Sequence, residues 1–340
     1  MRALVVANPA ATSTSSKARD VLVGALGSEL KVDLAETTHR GHARELGREA
    51  CADGVDIVVA LGGDGTVNEV VNGLLHAGPG AAVPTLAVVP GGSTNVFSRA
   101  LGRSRDPVEA TAEILDSIRA GRTRRVSLAT ASASGTSTAP AEPVAPAAAA
   151  GAAARDAAAH PGWTEPRWFV FAAGLGFDAE VIARVEAQRA RGRRSTGALY
   201  VKEATTAFLL GRERRRPAVT VEVPGEDPRP GVFLCLVSNV SPWTYLGGRP
   251  IDPSPEASFD TALDVFALRR TGPLRMLSTL RRAMAPAPAV HGRRVHRWHD
   301  LPELTLTASR PQGWQLDGDH LGTATGLRLR SVPAALRVVA

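Results

Sequence analysis

Several things are scarce in this chain, and each scarcity excludes something. Of 340 residues only two are cysteine, Cys51 and Cys235. They lie far apart and fit no metal-ligand spacing, so free thiols in a reducing compartment are expected. No stretch approaches the ~20 apolar residues that span a bilayer. The opening Met1–Pro9 carries too short an apolar run for a secretion signal and reads as a first strand, which points to the cytoplasm. Aromatic residues are 4% of the chain. No aromatic-interleaved basic run and no zinc-finger pattern accompanies the net charge of +7, so no nucleic-acid partner is expected. His291, His296 and His299 have irregular spacing and arginines between them, which reads as basic surface, not a metal site. Acidic residues are absent between Arg269 and Arg297, where eight arginines fall. Between Arg184 and Arg216 ten Lys/Arg face three Glu.

What is present suits two domains with a sizeable core: 44% of residues are apolar. The chain is organised around Val55–Leu61, a short apolar run of the kind buried on both faces of a parallel sheet. Gly62-Gly63-Asp64-Gly65 follows, a turn no side chain crowds, so main-chain amides can approach a ligand. Thr66-Val67-Asn68-Glu69 reads as a capping box opening a helix at Thr66. Strand, glycine turn and helix N-terminus together suit phosphate oxygens. The same design recurs at once. Thr85–Val89 is strand-like, and Pro90-Gly91-Gly92-Ser93-Thr94-Asn95 is a second glycine turn with hydroxyl caps. Two such turns after successive strands open on one edge of a parallel sheet, where ligands bind.

Around these units strands (Ala3–Ala7, Lys31–Glu36) alternate with helices (16–26, one bearing Ala43, Leu46 and Ala50, and one capped by Asp106 with Pro107). This predicts a doubly wound parallel α/β domain over 1–122. Beyond Arg122 the pattern becomes strand-rich, with candidates at 125–130, 167–173, 218–223, 232–239, 262–268, 304–308, 327–330 and 336–339. Three helical patterns, 179–190, 198–210 and 273–284, intervene. A second, mostly antiparallel β domain over 123–325 is expected. The Ala/Pro-rich stretch 131–165 reads as a disordered insertion.

Gly62-Gly63-Asp64-Gly65-Thr66-Val67-Asn68-Glu69-Val70-Val71-Asn72-Gly73 together with Pro90–Asn95 resembles the diacylglycerol kinase / sphingosine kinase catalytic-domain family in its bacterial soluble form. The Gly-Gly-Asp-Gly-Thr element alone is shared with NAD kinases and, loosely, phosphofructokinases. The extension and the second turn favour the lipid kinases. The resemblance implies a C-terminal β-sandwich, with 326–340 returning to the first domain. It also implies ATP-dependent, Mg²⁺-dependent phosphorylation of a lipid hydroxyl, most simply that of diacylglycerol.

By the same resemblance, nucleotide-binding positions are Asn8, Thr37, Gly62, Gly63, Asp64, Gly65, Thr66, Val67, Asn68, Glu69, Gly91, Gly92, Ser93 and Thr94. Asp64 is a catalytic candidate. Asp319 matches the family's general base, one methylene shorter than the usual Glu. Asp260, with Thr261 in place of the family's glycine, and Asp317 are the metal candidates. The basic regions suit an anionic membrane surface; a homodimer stays open. The rival readings are an NAD kinase-like enzyme acting on a soluble substrate and a lipid- or nucleotide-binding module in which Asp319 is too short to act.

Overall fold

The structure, a computed structural model, describes residues 1–9, 16–136, 162–193, 196–211 and 213–340. The chain forms two compact units. One runs from Met1 to Leu128 and is completed by Pro333–Ala340; the other runs on to Val332.

In the first unit β1 (Arg2–Ala7), β2 (Lys31–Glu36), β3 (Ile57–Gly62) and β4 (Thr85–Pro90) pair in parallel in the order β2-β1-β3-β4. Helices α1 (Ser16–Gly27), α2 (His42–Ala52) and α3 (Asp64–Leu74) connect them, and α4 (Val96–Ala100) and α5 (Pro107–Arg119) follow. Side chains alternate across a strand, so both faces of this sheet must be covered. Val5, Val59, Leu61 and Val89 pack with Leu22 and Leu26 of α1 and Ile114 of α5. The alternate residues Val6, Val58, Ala60 and Val88 are as deeply buried.

α2 and α3 cross at two glycines. A Cβ at Gly73 would overlap the Arg44 carbonyl, and one at Gly47 would lie 2.8 Å from the Val70 oxygen. That crossing gives a physical reason for the glycine ending the Asn-Glu-Val-Val-Asn-Gly run. α5 begins where its cap dictates, with the Asp106 carboxylate accepting from the Val108 and Glu109 amides at 2.8 and 3.1 Å.

The second unit contains β6 (Arg167–Phe169), β7 (Ala172–Gly176), β8 (Val219–Glu222) and β9 (Arg229–Ser238), the short hairpin β10 (Thr244–Leu246) and β11 (Arg249–Ile251), then β12 (Leu263–Arg269), β13 (Val295–Leu301), β14 (Glu303–Leu316) and β15 (Asp319–Val339). β5 (Thr123–Ser134) leads into it, and α6 (Phe177–Ala190), α7 (Gly197–Leu210) and α8 (Pro273–Ala283) are its helices. The pairings of β7, β8, β9, β12, β13 and β14 with one another are antiparallel. β9 and β14 change partners along their length: β8 joins one end of each and β7 the other. Hydrogen bonding therefore links these strands in one network, from which the β10–β11 hairpin stands apart.

Three boundaries differ from the sequence reading. The two C-terminal strand candidates are one long strand, β15, whose last residues pair with β4 through Val338 and Leu86. β13 was not expected at all: the polar run His296-Arg297 and His299-Asp300 hid the strand pattern. The edges of the 131–165 stretch are ordered: β5 runs on to Ser134, which bridges to Trp163, and the Thr164 amide donates to the Ala133 carbonyl at 2.8 Å. The remainder, 137–161, lies outside the described residues.

Candidate active site

The parallel register places four strand ends level with one another. Ala7 is opposite both Glu36 and Leu61, and Gly62 is opposite Pro90. The next residues continue the ladder: the Thr37 amide donates to Ala7 O at 2.9 Å, Asn8 to Leu61 O at 3.1 Å, and Gly91 to Gly62 O at 2.8 Å. Asn8, Thr37, Gly63 and Gly91 thus share the C-terminal edge of one parallel sheet, the edge at which α/β folds bind ligands.

The two glycine turns touch main chain to main chain. A Cβ on Gly63 would sit 3.2 Å from the Gly92 Cα, and one on Gly92 would sit 2.7 Å from the Gly63 Cα. Gly62 makes room for Thr66, whose Oγ1 a Cβ there would meet at 2.5 Å. That hydroxyl accepts from the Asn8 side chain at 3.2 Å, tying the first loop to the turn. Above Gly65 nothing lies within 4 Å of a would-be Cβ, so the N-terminus of α3 opens onto free space.

The expected capping box does not form. α3 starts at Asp64, with Gly63 as its N-cap and no side-chain cap. Glu69 turns elsewhere: its Oε1 accepts from the Gly41 amide at 2.9 Å and pins the loop before α2. The first amides of α3 are left pointing off a dipole's positive end, which is how a helix meets a phosphate. Of the other positions on this helix, Val67 is core, and Asn68 is buried with its oxygens accepting from Asn72.

The hydroxyl caps expected in the second turn are also replaced. Ser93 is exposed and Thr94 half-buried, and neither caps α4. Asp64 does so from the first turn. Its Oδ2 accepts from the Val96 amide at 3.0 Å and its Oδ1 from the Phe97 amide at 3.2 Å. Burial pushes the Asp64 carboxyl up from its ordinary value, against these two amides and the nearby Arg99. Asn95, in the left-handed region at φ 50°, closes the second turn on itself by bonding both the amide and the carbonyl of Gly92 at 2.9 and 2.7 Å. Asn tolerates that conformation better than most side chains, so Asn95 holds Gly92 in place.

In the second unit Leu316 and Asp319 pair across a two-residue turn. Asp317 and Gly318 both have positive φ, 49° and 81°, as a tight hairpin of this length requires. Asp317 is buried, and its carboxylate accepts from three successive amides, Val170, Phe171 and Ala172, at 2.7–3.0 Å. It clamps the β6–β7 corner much as Asp64 clamps α4. The metal role expected of Asp317 gives way to this one, because a carboxylate so engaged has little left for a cation. The half-buried Asp319 opens β15. Its turn is held from a second side: Gln315 Oε1 accepts the Gly318 amide at 3.0 Å, and Gln315 Nε2 donates to Asp178 at 2.7 Å. The next amide, His320, donates to Glu186 of α6 at 3.2 Å.

Asp260 is exposed in a small turn of its own, with its amide on the Ser258 hydroxyl. Nearby, ligand atoms of Glu256, Asp264 and His299 lie within 4.8 Å of one another. Among the described residues this is where three ligating side chains converge, and Asp260 is not one of them. Asp264 is nearly inaccessible, its Oδ1 bonded to His299 Nδ1 at 2.8 Å, and burial raises its carboxyl.

The sequence matches the diacylglycerol kinase catalytic domain over residues 2–131, the stretch that contains both glycine turns. The diacylglycerol kinase of Bacillus subtilis (strain 168) is 47% identical over 77 residues, 23% of this chain and 24% of that protein. Sphingoid long-chain bases kinase 1 of Arabidopsis thaliana is 39% identical over 93 residues, 25% of this chain and 12% of that one. The matched stretch thus spans about a quarter of the first relative's length and less of the second's. A diacylglycerol kinase structure from Bacillus anthracis str. Sterne superposes with a TM-score of 0.64 at 19% identity, covering 99% of this chain and 96% of that chain. At that identity it shows the fold: an N-terminal α/β domain and a strand-rich C-terminal domain.

Within the matched stretch, sequence reasoning missed Asn95 as the residue that locks the second turn. In the second unit it missed Gln315 and Asp178, which support the turn carrying Asp319. The signals were weak but present: an Asn closing a glycine turn, and an Asp immediately after Gly176-Phe177 at a helix start.

Proposed function

We propose that the protein is a lipid kinase that transfers the γ-phosphate of ATP to the hydroxyl of a membrane lipid, diacylglycerol being the simplest acceptor. The observation carrying this reading is the pair of glycine turns at one sheet edge, in contact main chain to main chain at Gly63 and Gly92 and joined by the Asp64 clamp on the second turn.

Phosphoryl transfer asks mainly for positioning and charge neutralisation. The amides opening α3 at Asp64, Gly65 and Thr66 would take the phosphates, with Asn8 and Thr37 lining the neighbouring strand ends. Mg²⁺ bound to the triphosphate would neutralise its charge. A carboxylate has about four lone-pair sites; main-chain amides occupy two on Asp64, so two remain for a Mg²⁺–phosphate cluster. Asp319 would accept the proton of the lipid hydroxyl as its oxygen bonds to the γ-phosphorus and ADP leaves. The second-unit cluster of Glu256, Asp264 and His299 would hold a cation at most structurally.

Incubation of the purified protein with γ-labelled ATP, a total bacterial lipid extract and, separately, NAD tests the reading. Label in a lipid supports it. Label in NAD alone, or in neither from a folded protein, overturns it.

A further inference from the structure

The short helix α8 presents an unusual outer face. Met276 and Thr279 are half-buried, Ala283 is buried, and Met276 and Ala283 pack on the core beside Leu268 and Val290. Leu274, Leu277 and Leu280 face solvent, exposed to 86%, 55% and 36%. Their three-residue spacing sets them in a row along one edge of the helix. Arg275, Arg281 and Arg282 are exposed on the same helix. Beside it lies a cleft of about 310 Å³ whose lining includes Arg275, Arg282, His291, Arg293 and Arg294 and no carboxylate. Leucines held out into water mark an interaction surface. An acid-free cleft of arginines next to them selects an anionic partner, and the surrounding stretch from Arg269 to Arg297 contains no acidic residue.

We propose that this face of α8 docks the protein on an anionic bilayer, with Leu274, Leu277 and Leu280 entering the headgroup–acyl boundary while the arginine cleft receives a lipid phosphate. An amphipathic helix lying in the interface plane has this division of labour. Arginine stems can lie along the apolar boundary with their guanidinium groups at phosphate level. Nucleic acid accounts for the arginines but leaves the leucine row without a partner. The inference rests on the lipid-kinase reading for its purpose; the binding itself is measured without turnover.

The test is co-sedimentation of the full chain with vesicles of phosphatidylglycerol and phosphatidylcholine against vesicles of phosphatidylcholine alone. Wild-type protein is expected on the anionic vesicles only. Leu274→Ser/Leu277→Ser, melting as wild type because both leucines are exposed, should bind at least about tenfold more weakly. Arg275→Gln/Arg282→Gln should lose on the order of fivefold per arginine, and less as salt rises. Equal binding to both vesicle types, or wild-type binding by the leucine variant, overturns the proposal. So does loss confined to the arginine variant together with competition by a DNA duplex, which would mark a general polyanion surface. A parallel assay with short-chain diacylglycerol in detergent separates the two readings. Turnover there without vesicle binding removes the docking face alone; vesicle binding without turnover removes the kinase alone.

Discussion

Gln315 and Asp178 are joined by a 2.7 Å hydrogen bond across 137 residues of sequence, and the same Gln315 side chain accepts the Gly318 amide at 3.0 Å. One amide side chain therefore connects a buried carboxyl at the start of α6 to the turn that presents Asp319. It acts on chemistry only by positioning. Gln315→Met fills similar space but removes both bonds. We expect kcat to fall about tenfold or more with the KM for ATP unchanged, whereas Asp178→Asn, which keeps an acceptor for Gln315, stays near wild type. Steady-state kinetics on the three proteins check this; a KM effect in Gln315→Met would contradict it.

Asp178 also predicts a pH dependence. Burial pushes its carboxyl from 3.8 to about 7, against the Gln315 bond. The folded state thus holds a proton that the unfolded chain releases above about pH 4. This contribution is fully present below that value and is lost as pH rises to 7. Between pH 4 and pH 7 wild type should lose on the order of 4 kcal/mol of stability relative to Asp178→Asn. Urea unfolding of the pair across that range reads it, and parallel curves would refute it.

Asp64 couples the two turns, so its removal should show in stability as well as chemistry. Asp64→Ala leaves two amides at the start of α4 without their acceptor and should cost about 1–2 kcal/mol. Transfer to lipid should be abolished. Asp64→Asn retains a carbonyl acceptor and should recover part of the stability. Full turnover in Asp64→Ala would show that the carboxylate serves the fold alone.

The close approach of Gly63 and Gly92 leaves no room for a side chain. Gly92→Ala must push the turns apart and should weaken ATP binding more than it lowers stability, because the turn is at the surface. Gly73→Ala strikes the Arg44 carbonyl between packed helices. It should destabilise the first unit by about 1–3 kcal/mol. Calorimetric ATP titration beside thermal melting separates the two cases.

The sequence reading located the first unit well because its signals are local. β3 is a six-residue apolar run with every residue buried, and the cap at Asp106 lies within three residues of what it caps. What escaped was non-local. Thr66 and Glu69 have the spacing of a capping box, yet Glu69 bonds Gly41, 28 residues back, and α4 takes its cap from Asp64, 32 residues before Val96. Sequence spacing shows which groups can meet within one turn, not which partner from another loop arrives first. Asp317 illustrates the same limit: an acidic residue in a tight turn suggested a cation, but its clamp on Val170–Ala172 depends on a corner some 145 residues away in sequence. β13 was hidden because His296, Arg297, His299 and Asp300 break any apolar alternation along it.

The most direct measurement is hydrogen exchange of the full chain with and without ATP and Mg²⁺. If both turns grip one triphosphate, peptides spanning Gly62–Val67 and Gly91–Phe97 should gain protection together at saturating nucleotide, and neither should do so in Asp64→Ala. Protection confined to other segments while ATP is demonstrably bound would contradict the account.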